Sequence, residues 1–203
     1  PFDKMENATR VANREGLDIE FVLDMWEKEK NRACDYGTSI HKVMEDYLTE
    51  GVEEEEHESL YTSFNKWNHI FKKFPTLLCE EKLHDLDNFI AGTADLIYEN
   101  KTHFMVGDFK TNKAFNFFSQ YNEFMLKPMD HLSVCEFNTY GLQLSLYAYL
   151  HEKSSGKKCT GCVVFYKDKE NKFYPIRVNY MKKEIISLIE DYNNPNSLSS
   201  KID

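Results

Sequence analysis

Three stretches of this chain, about Leu77 to His84, Phe89 to Tyr98 and Thr102 to Lys110, are separated by short polar turns, Leu86-Asp87-Asn88 and Glu99-Asn100-Lys101. Apolar and polar residues alternate along them, and a side-chain period of two over segments of this length predicts adjacent β-strands. In the run KTHFMVGDFKT, Lys101 to Thr111, the alternation groups Phe104, Val106, Asp108 and Lys110 on one face. In the preceding segment it groups Thr93, Asp95 and Ile97, with Asp95 thirteen residues ahead of Asp108. Two carboxylates and an ammonium among apolar neighbours are costly to bury unless a cation or ligand uses them. Hard divalent cations take oxygen ligands and keep several waters, so two carboxylates and a backbone carbonyl predict an open cation site.

The rest of the chain predicts helices and two more strands. Up to about Asn31, Ile19, Val22, Leu23 and Trp26 recur at helical spacing. Thr38 or Ser39 is a candidate N-cap for a helix that carries His41, Val43, Met44, Tyr47 and Leu48 and ends before Gly51. His41 and Glu45, four apart, share a face of it. A third helix is expected over about His57 to Phe74, striped by Leu60, Phe64, Trp67, Ile70 and Phe71 and stopped by Pro75. Asn116 to Asn138, aromatic, Met-rich and interrupted by Pro128, reads as a loop with short helical pieces. Tyr140 to Leu150 is apolar almost all round, as a buried helix is. Strands at about Gly161 to Tyr166 and Lys172 to Val178 then lead to a closing helix near Lys182 to Tyr192.

Five motifs fall in order on these elements: Gly37-Thr38-Ser39-Ile40-His41, Glu80-Glu81, Gly92-Thr93-Ala94-Asp95, Asp108-Phe109-Lys110-Thr111 and Gln143-Leu144-Ser145-Leu146-Tyr147. With them, the chain resembles the PD-(D/E)XK nuclease superfamily, specifically its RecB-like, Cas4-like and mitochondrial-exonuclease-like branch, over about residues 37 to 179. The resemblance implies an α/β (mixed α+β) fold with a restriction-endonuclease-like core, a central mixed β-sheet flanked by helices, here with an N-terminal helical cap. It implies Asp95 and Asp108 as carboxylate ligands of one or two Mg²⁺ or Mn²⁺ ions, the Phe109 carbonyl as a further oxygen, and His41 as a neutral imidazole ligand. Lys110 would be the catalytic lysine, orienting or deprotonating an attacking water or stabilising charge on phosphate. Gln143 and Tyr147, one helical turn apart, would contact the DNA backbone, and Thr111 would donate a hydrogen bond to phosphate. One of Glu80 and Glu81 takes the place of the family's strand glutamate. Adjacent strand residues face opposite ways, and Glu81 is favoured because it would share its side with Leu83. Glu45 reads equally as a neighbour of the metal and as a surface acid.

At 203 residues the chain suits one well-packed domain. The expected division is a helical cap over 1–36, the nuclease core over 37–192 and a polar, frayed tail over 193–203. The opening PFDKMENATRV has neither an initiator Met nor an apolar signal core, which suggests a start inside a longer polypeptide or after a removed tag. No apolar run approaches the roughly eighteen residues of a membrane span, so no membrane partner is expected. Five cysteines, an odd number, point to a reducing, cytoplasmic compartment, or a host cytoplasm if the source is a phage or virus. Cys34 and Cys159-x-x-Cys162 resemble part of the iron–sulfur ligand set of some relatives, but no Cys follows Cys162, so no cluster is expected. The net charge of −9 argues mildly against nucleic acid and predicts weak, salt-sensitive binding.

The expectation is therefore a metal-dependent deoxyribonuclease, an exonuclease acting on DNA ends, single-stranded by analogy, in repair, recombination or replication. A helicase, polymerase or single-strand-binding protein is the expected kind of partner. A competing reading is a non-catalytic nucleic-acid-binding module or the nuclease subunit of a helicase–nuclease complex. The intact Asp95, Asp108 and Lys110 oppose loss of chemistry, and no G-x-x-x-x-G-K-S/T motor motif is present. A Mg²⁺-dependent enzyme acting on a smaller phosphate ester is a third reading, for which no phosphate-cradling glycine loop exists. Phe115, Phe117, Phe118, Tyr121 and Phe124 read as core packing, or less commonly as stacking platforms for unpaired bases.

Overall fold

The structure is a computed structural model that describes residues 3–194, the side chain of Asn68 excepted. Most of the expected tail, 195–203, lies outside the described residues. The chain divides into two compact units, Pro1–Ile40 and His41–Asp203.

In the first unit, α1 (Lys4–Glu15) starts where the Asp3 carboxylate accepts the Glu6 amide at 2.9 Å, and it ends at Gly16, whose φ of 67° suits a left-handed cap. Asp18 in turn accepts the Glu20 amide at 2.8 Å and opens α2 (Ile19–Glu50). Ala8, Ala12 and Val22 are buried, and Val11, Ile19, Leu23 and Trp26 pack on them. The helix start expected at Thr38 or Ser39 does not occur, because α2 runs unbroken through both. Within the helix, the Ser39 hydroxyl donates to the Tyr36 carbonyl at 2.8 Å, satisfying locally the group that would otherwise cap.

The second unit takes the remainder of α2 from His41. The expected third helix is shorter than its apolar stripe suggests. After α3 (Glu58–Asn65) the chain tightens into three-residue turns, with Trp67 N–H donating to Phe64 O and Ile70 N–H to Trp67 O. A 3₁₀ turn follows at Asn68–Phe71, and the Trp67 indole is held by the Phe173 carbonyl at 3.2 Å.

The strands are β1 (Thr76–Asp85), β2 (Ile90–Glu99), β3 (His103–Lys110), β4 (Lys158–Lys167) and β5 (Phe173–Val178), in that spatial order. Pairing is antiparallel except between β3 and β4, which run parallel because α4 (Glu136–Ser155) crosses over between them. The result is a mixed sheet flanked by helices, closed by α5 (Lys182–Tyr192). The 116–138 segment is turns and coil with one isolated bridge, Phe124 to Ser133, and α4 begins inside its last residues.

Two hydrophobic layers hold the sheet. On one face Leu144, Ala148 and Leu150 of α4 pack with Phe104, Val106, Cys162 and Val164. On the other, Phe64 of α3 lies 5.8 Å from Phe109 and 4.9 Å from Phe165, ring centre to ring centre, and Phe71 stacks on Tyr98 at 3.9 Å. Phe64 is fully buried, so truncation to Ala would cost about 3–5 kcal/mol. Alternation along β3 fixes the consequence: Phe109 faces α3, whereas Asp108 and Lys110 face α4.

Candidate functional site

The site lies where the β2–β3 ladder gives way. Backbone pairing of these strands extends to Leu96 opposite Gly107. Beyond it, side chains take the polar groups of Phe109: its N–H donates to Asp95 Oδ2 at 2.8 Å, and His41 Nε2 donates to its carbonyl at 2.9 Å. His41 Nδ1 is 3.2 Å from the same Asp95 oxygen. The second-unit end of α2 is thus pinned to β2 and β3 through one imidazole. Burial pushes the His41 pKa down, but the bond to Asp95 and the charges of Asp95 and Asp108 outweigh it, leaving the group above its ordinary 6.5.

His41, Glu80 and Asp95 bring ligand atoms within 4.8 Å of one another and could hold a metal ion. The acid in this group is Glu80, where the sequence reading favoured Glu81. That choice assumed unbroken alternation along β1. Glu80 instead has φ of 50°, and it stands at the register position opposite Asp95, where the otherwise continuous pairing from Cys79–Leu96 to Glu81–Ala94 skips one step. Leu78 and Leu83 both pack on the α4 layer although they are five residues apart, so the face changes between them. A non-glycine residue held in this region costs on the order of 1–3 kcal/mol, and such strain gathers at sites of function. Burial first, then the Asp95 charge, raises the Glu80 pKa.

Asp108 is 2% exposed, and its Oδ2 has no hydrogen-bond partner. Lys110 Nζ forms an ion pair with that oxygen at 2.5 Å. Burial is the main cause that raises the Asp108 pKa, with Asp95 adding to it and Lys110 opposing. Three carboxylates, of which the buried Asp108 is paired with Lys110, form an electrostatic arrangement short of positive charge, which fits a hard divalent cation.

Tyr140, which sequence reasoning placed only at the start of a buried helix, belongs to the site. Lys110 Nζ sits 4.9 Å above the centre of its ring. Burial first, then the charges of Glu136 and Asp108, holds the Tyr140 phenol up at about 12, so it stays neutral. One signal was available: Tyr140, Gln143 and Tyr147 recur at i, i+3 and i+7, which is one helix face. Gln143 Nε2 donates to the Tyr147 hydroxyl at 3.1 Å. The edge of the Tyr147 ring meets Gly92, where a Cβ would come 2.6 Å from Cε1. The glycine of one motif is therefore what lets the tyrosine of another reach β2. Thr111 is half-buried just past the end of β3. Glu81 is half-buried on the far side of the break from Glu80, and Lys42 bridges Glu45 to Asp46, at 3.2 and 2.8 Å.

A cavity of about 610 Å³ opens on the opposite face of the sheet between Trp67, Phe74, Met105 and Arg177; it contains none of these groups. Among the described residues, no helix is long and apolar enough to cross a membrane.

No protein-family model matches the chain, and no curated protein sequence does. Among solved structures, SSO0001 is similar at 17% identity, with 93% of this chain and 70% of that one covered and a TM-score of 0.41. A protein from Eubacterium rectale, provisionally named an exonuclease, is similar at 12% identity with a TM-score of 0.43. There the match covers 94% of this chain, which spans 65% of that protein's length. Both likenesses are too loose to assign a function.

Proposed function

We propose that this chain is a divalent-metal-dependent nuclease that hydrolyses phosphodiester bonds of DNA, working from free single-stranded ends. One observation carries the reading: His41, Glu80 and Asp95 converge beside a buried Asp108 that is paired with Lys110. The motif order and the contact between Gly92 and Tyr147 support it.

His41, Glu80, Asp95 and Asp108, with the Phe109 carbonyl, would hold Mg²⁺ or Mn²⁺. An ion bound there supplies a Lewis acid for the phosphoryl oxygens and a more acidic water at neutral pH. The residues of the chain do the rest. Lys110, positioned by Asp108 and the face of Tyr140, offsets negative charge that develops on the phosphoryl group. A water oxygen adds to phosphorus, the bond from phosphorus to the sugar oxygen breaks, and the proton lost by the water is matched by one gained by the departing alkoxide. Gln143 and Tyr147 offer an amide and a hydroxyl to the strand on the α4 side, and Thr111 offers a hydroxyl at the end of β3.

Digestion of end-labelled single- and double-stranded DNA with Mg²⁺, Mn²⁺ or EDTA tests this reading. Cleavage is expected with metal only, with mononucleotide products from single-stranded ends. Asp108→Asn and Lys110→Ala should each lower the rate by roughly 10²-fold or more. Intact DNA under every metal condition, with the wild-type protein folded and bound to it, would refute the proposal.

A further inference from the structure

The loop between β3 and α4 divides its aromatic residues into two sets. Phe115 packs 5.9 Å from Tyr140 and 5.6 Å from Tyr166, and Phe117 packs 5.5 Å from Phe137, ring centre to ring centre. These rings anchor the loop to α4, and backbone bonds help: Asn116 N–H donates to Glu136 at 3.0 Å, and Phe137 N–H donates to the Asn116 carbonyl at 3.1 Å. The Ser119 hydroxyl then accepts the Tyr121 and Glu123 amides at 3.3 and 2.9 Å and fixes the turn. Phe118 and Tyr121, on that fixed turn, are 80% and 81% exposed. Exposure of two large rings on an anchored backbone is costly to solubility and contributes nothing to the core.

Between them and α4 lies a cleft of about 430 Å³, lined by Asn116, Phe118, Gln120, Tyr121, Glu136 and Tyr140 among others. That volume suits a small planar ligand. Tyr140, the ring under Lys110 at 4.9 Å, also lines the cleft, so one ring separates the candidate catalytic lysine from the cleft that reaches the exposed rings. Its charge selects what can enter. Glu123 and Glu136 line it, and no lysine or arginine does, so a phosphate is repelled while the exocyclic amino and ring N–H groups of a base find acceptors.

We infer that this cleft is a nucleobase subsite: an unpaired base next to the phosphate at Lys110 stacks on Phe118 or Tyr121 and has its edge read by Asn116, Gln120 and Glu136. The position of that phosphate rests on the nuclease reading. The base cannot be in a duplex, because its pairing edge and a stacking face are used within the protein. A chain of net charge −9 gains little from counterion release, so stacking supplies a large share of its affinity.

The test is fluorescence anisotropy in EDTA, where no metal-dependent cutting occurs, with a mixed-sequence single strand, the same length of abasic strand, and the duplex. Wild-type protein should bind the base-bearing strand on the order of tenfold or more tighter than the abasic strand. The Phe118→Ala/Tyr121→Ala variant should lose that preference, and the difference should persist as salt is raised. Both side chains are largely exposed, and a circular dichroism melt matching wild type confirms that the variant is folded. Equal wild-type affinity for base-bearing and abasic strands overturns the subsite, and so does a variant that retains the preference. Parallel digestion with Mn²⁺ separates the two readings. Cleavage without base preference leaves the nuclease and removes the subsite, whereas base preference without cleavage does the reverse. No binding to any strand, together with no digestion in Mn²⁺, removes both.

Discussion

Gly92→Ala is the substitution in which the structure makes its sharpest demand. The new Cβ would lie 2.6 Å from Tyr147 Cε1, and carbon atoms in contact sit about 3.5–4.0 Å apart, so the ring or β2 must move by about 1 Å. Overpacking of this kind costs about 1–3 kcal/mol. Gly92 has an ordinary negative-φ backbone, so Ala also removes freedom from the unfolded chain and returns about 0.4–1 kcal/mol. The expected net effect is a destabilisation of about 1–2 kcal/mol. In a Tyr147→Ala background the obstacle is gone, and the same substitution should be neutral or stabilise by about 0.4–1 kcal/mol. The double-mutant cycle should therefore show a coupling of about 1–3 kcal/mol. Urea unfolding read by Trp67 fluorescence in a Trp26→Phe background reports the sheet, because the Trp67 indole is bonded to Phe173 of β5. In the same variant, the displaced ring carries its hydroxyl away from Gln143. A misplacement near 1 Å costs roughly 10²-fold in rate, which the DNA digestion assay would read. An equal shift of the unfolding midpoint by Gly92→Ala in both backgrounds would sink the argument.

Three further outcomes are expected. Glu80→Gln should weaken Mn²⁺ binding in isothermal titration by roughly tenfold or more, whereas Glu81→Gln should change it little; the opposite ranking would restore the alternation-based choice. Ser145 is fully buried, accepts the Met181 amide at 2.8 Å and donates to the Asn179 carbonyl at 3.3 Å, so Ser145→Ala should cost about 1–3 kcal/mol in urea unfolding by orphaning both. Burial raises the Glu99 pKa, but bonds from Lys157 at 2.5 Å and His151 at 2.9 Å draw it below its ordinary 4.5. A carboxylate depressed in the fold stabilises fully above its unfolded pKa and loses that contribution as pH falls through its folded value. The wild type should thus lose stability steeply in acid below about pH 4.5, and Glu99→Gln should be less stable at neutral pH with a shallower acid limb.

Most of the architecture was legible locally. Strand-length apolar segments bounded by polar turns located all five strands to within a few residues, and the bounds of α5 were met at both ends. Two helix boundaries were not legible. Ser39 can cap a helix or bond within one, and Trp67, Ile70 and Phe71 carry an apolar stripe that serves tight turns as well as a helix. In both cases the residue types permit either state, and only the longer-range contacts choose.

The candidate site divides in the same way. Asp95, Asp108 and Lys110 stood out in the sequence as charges among apolar strand residues, and His41, Gln143 and Tyr147 were selected through the resemblance of the ordered motifs. Which glutamate joins His41 and Asp95 was decided by a single backbone angle at Glu80, a property of strand pairing that leaves no mark in composition. The pairing of Lys110 with Tyr140, the rest of the Tyr147 ring on Gly92 and the exposure of Phe118 and Tyr121 likewise arise only when α4 is laid across the sheet. Sequence determines which side chains are chemically capable and, where alternation runs unbroken, which face of its own element each occupies. Tertiary structure determines which of them meet, because meeting depends on the register and crossing of elements distant in the chain.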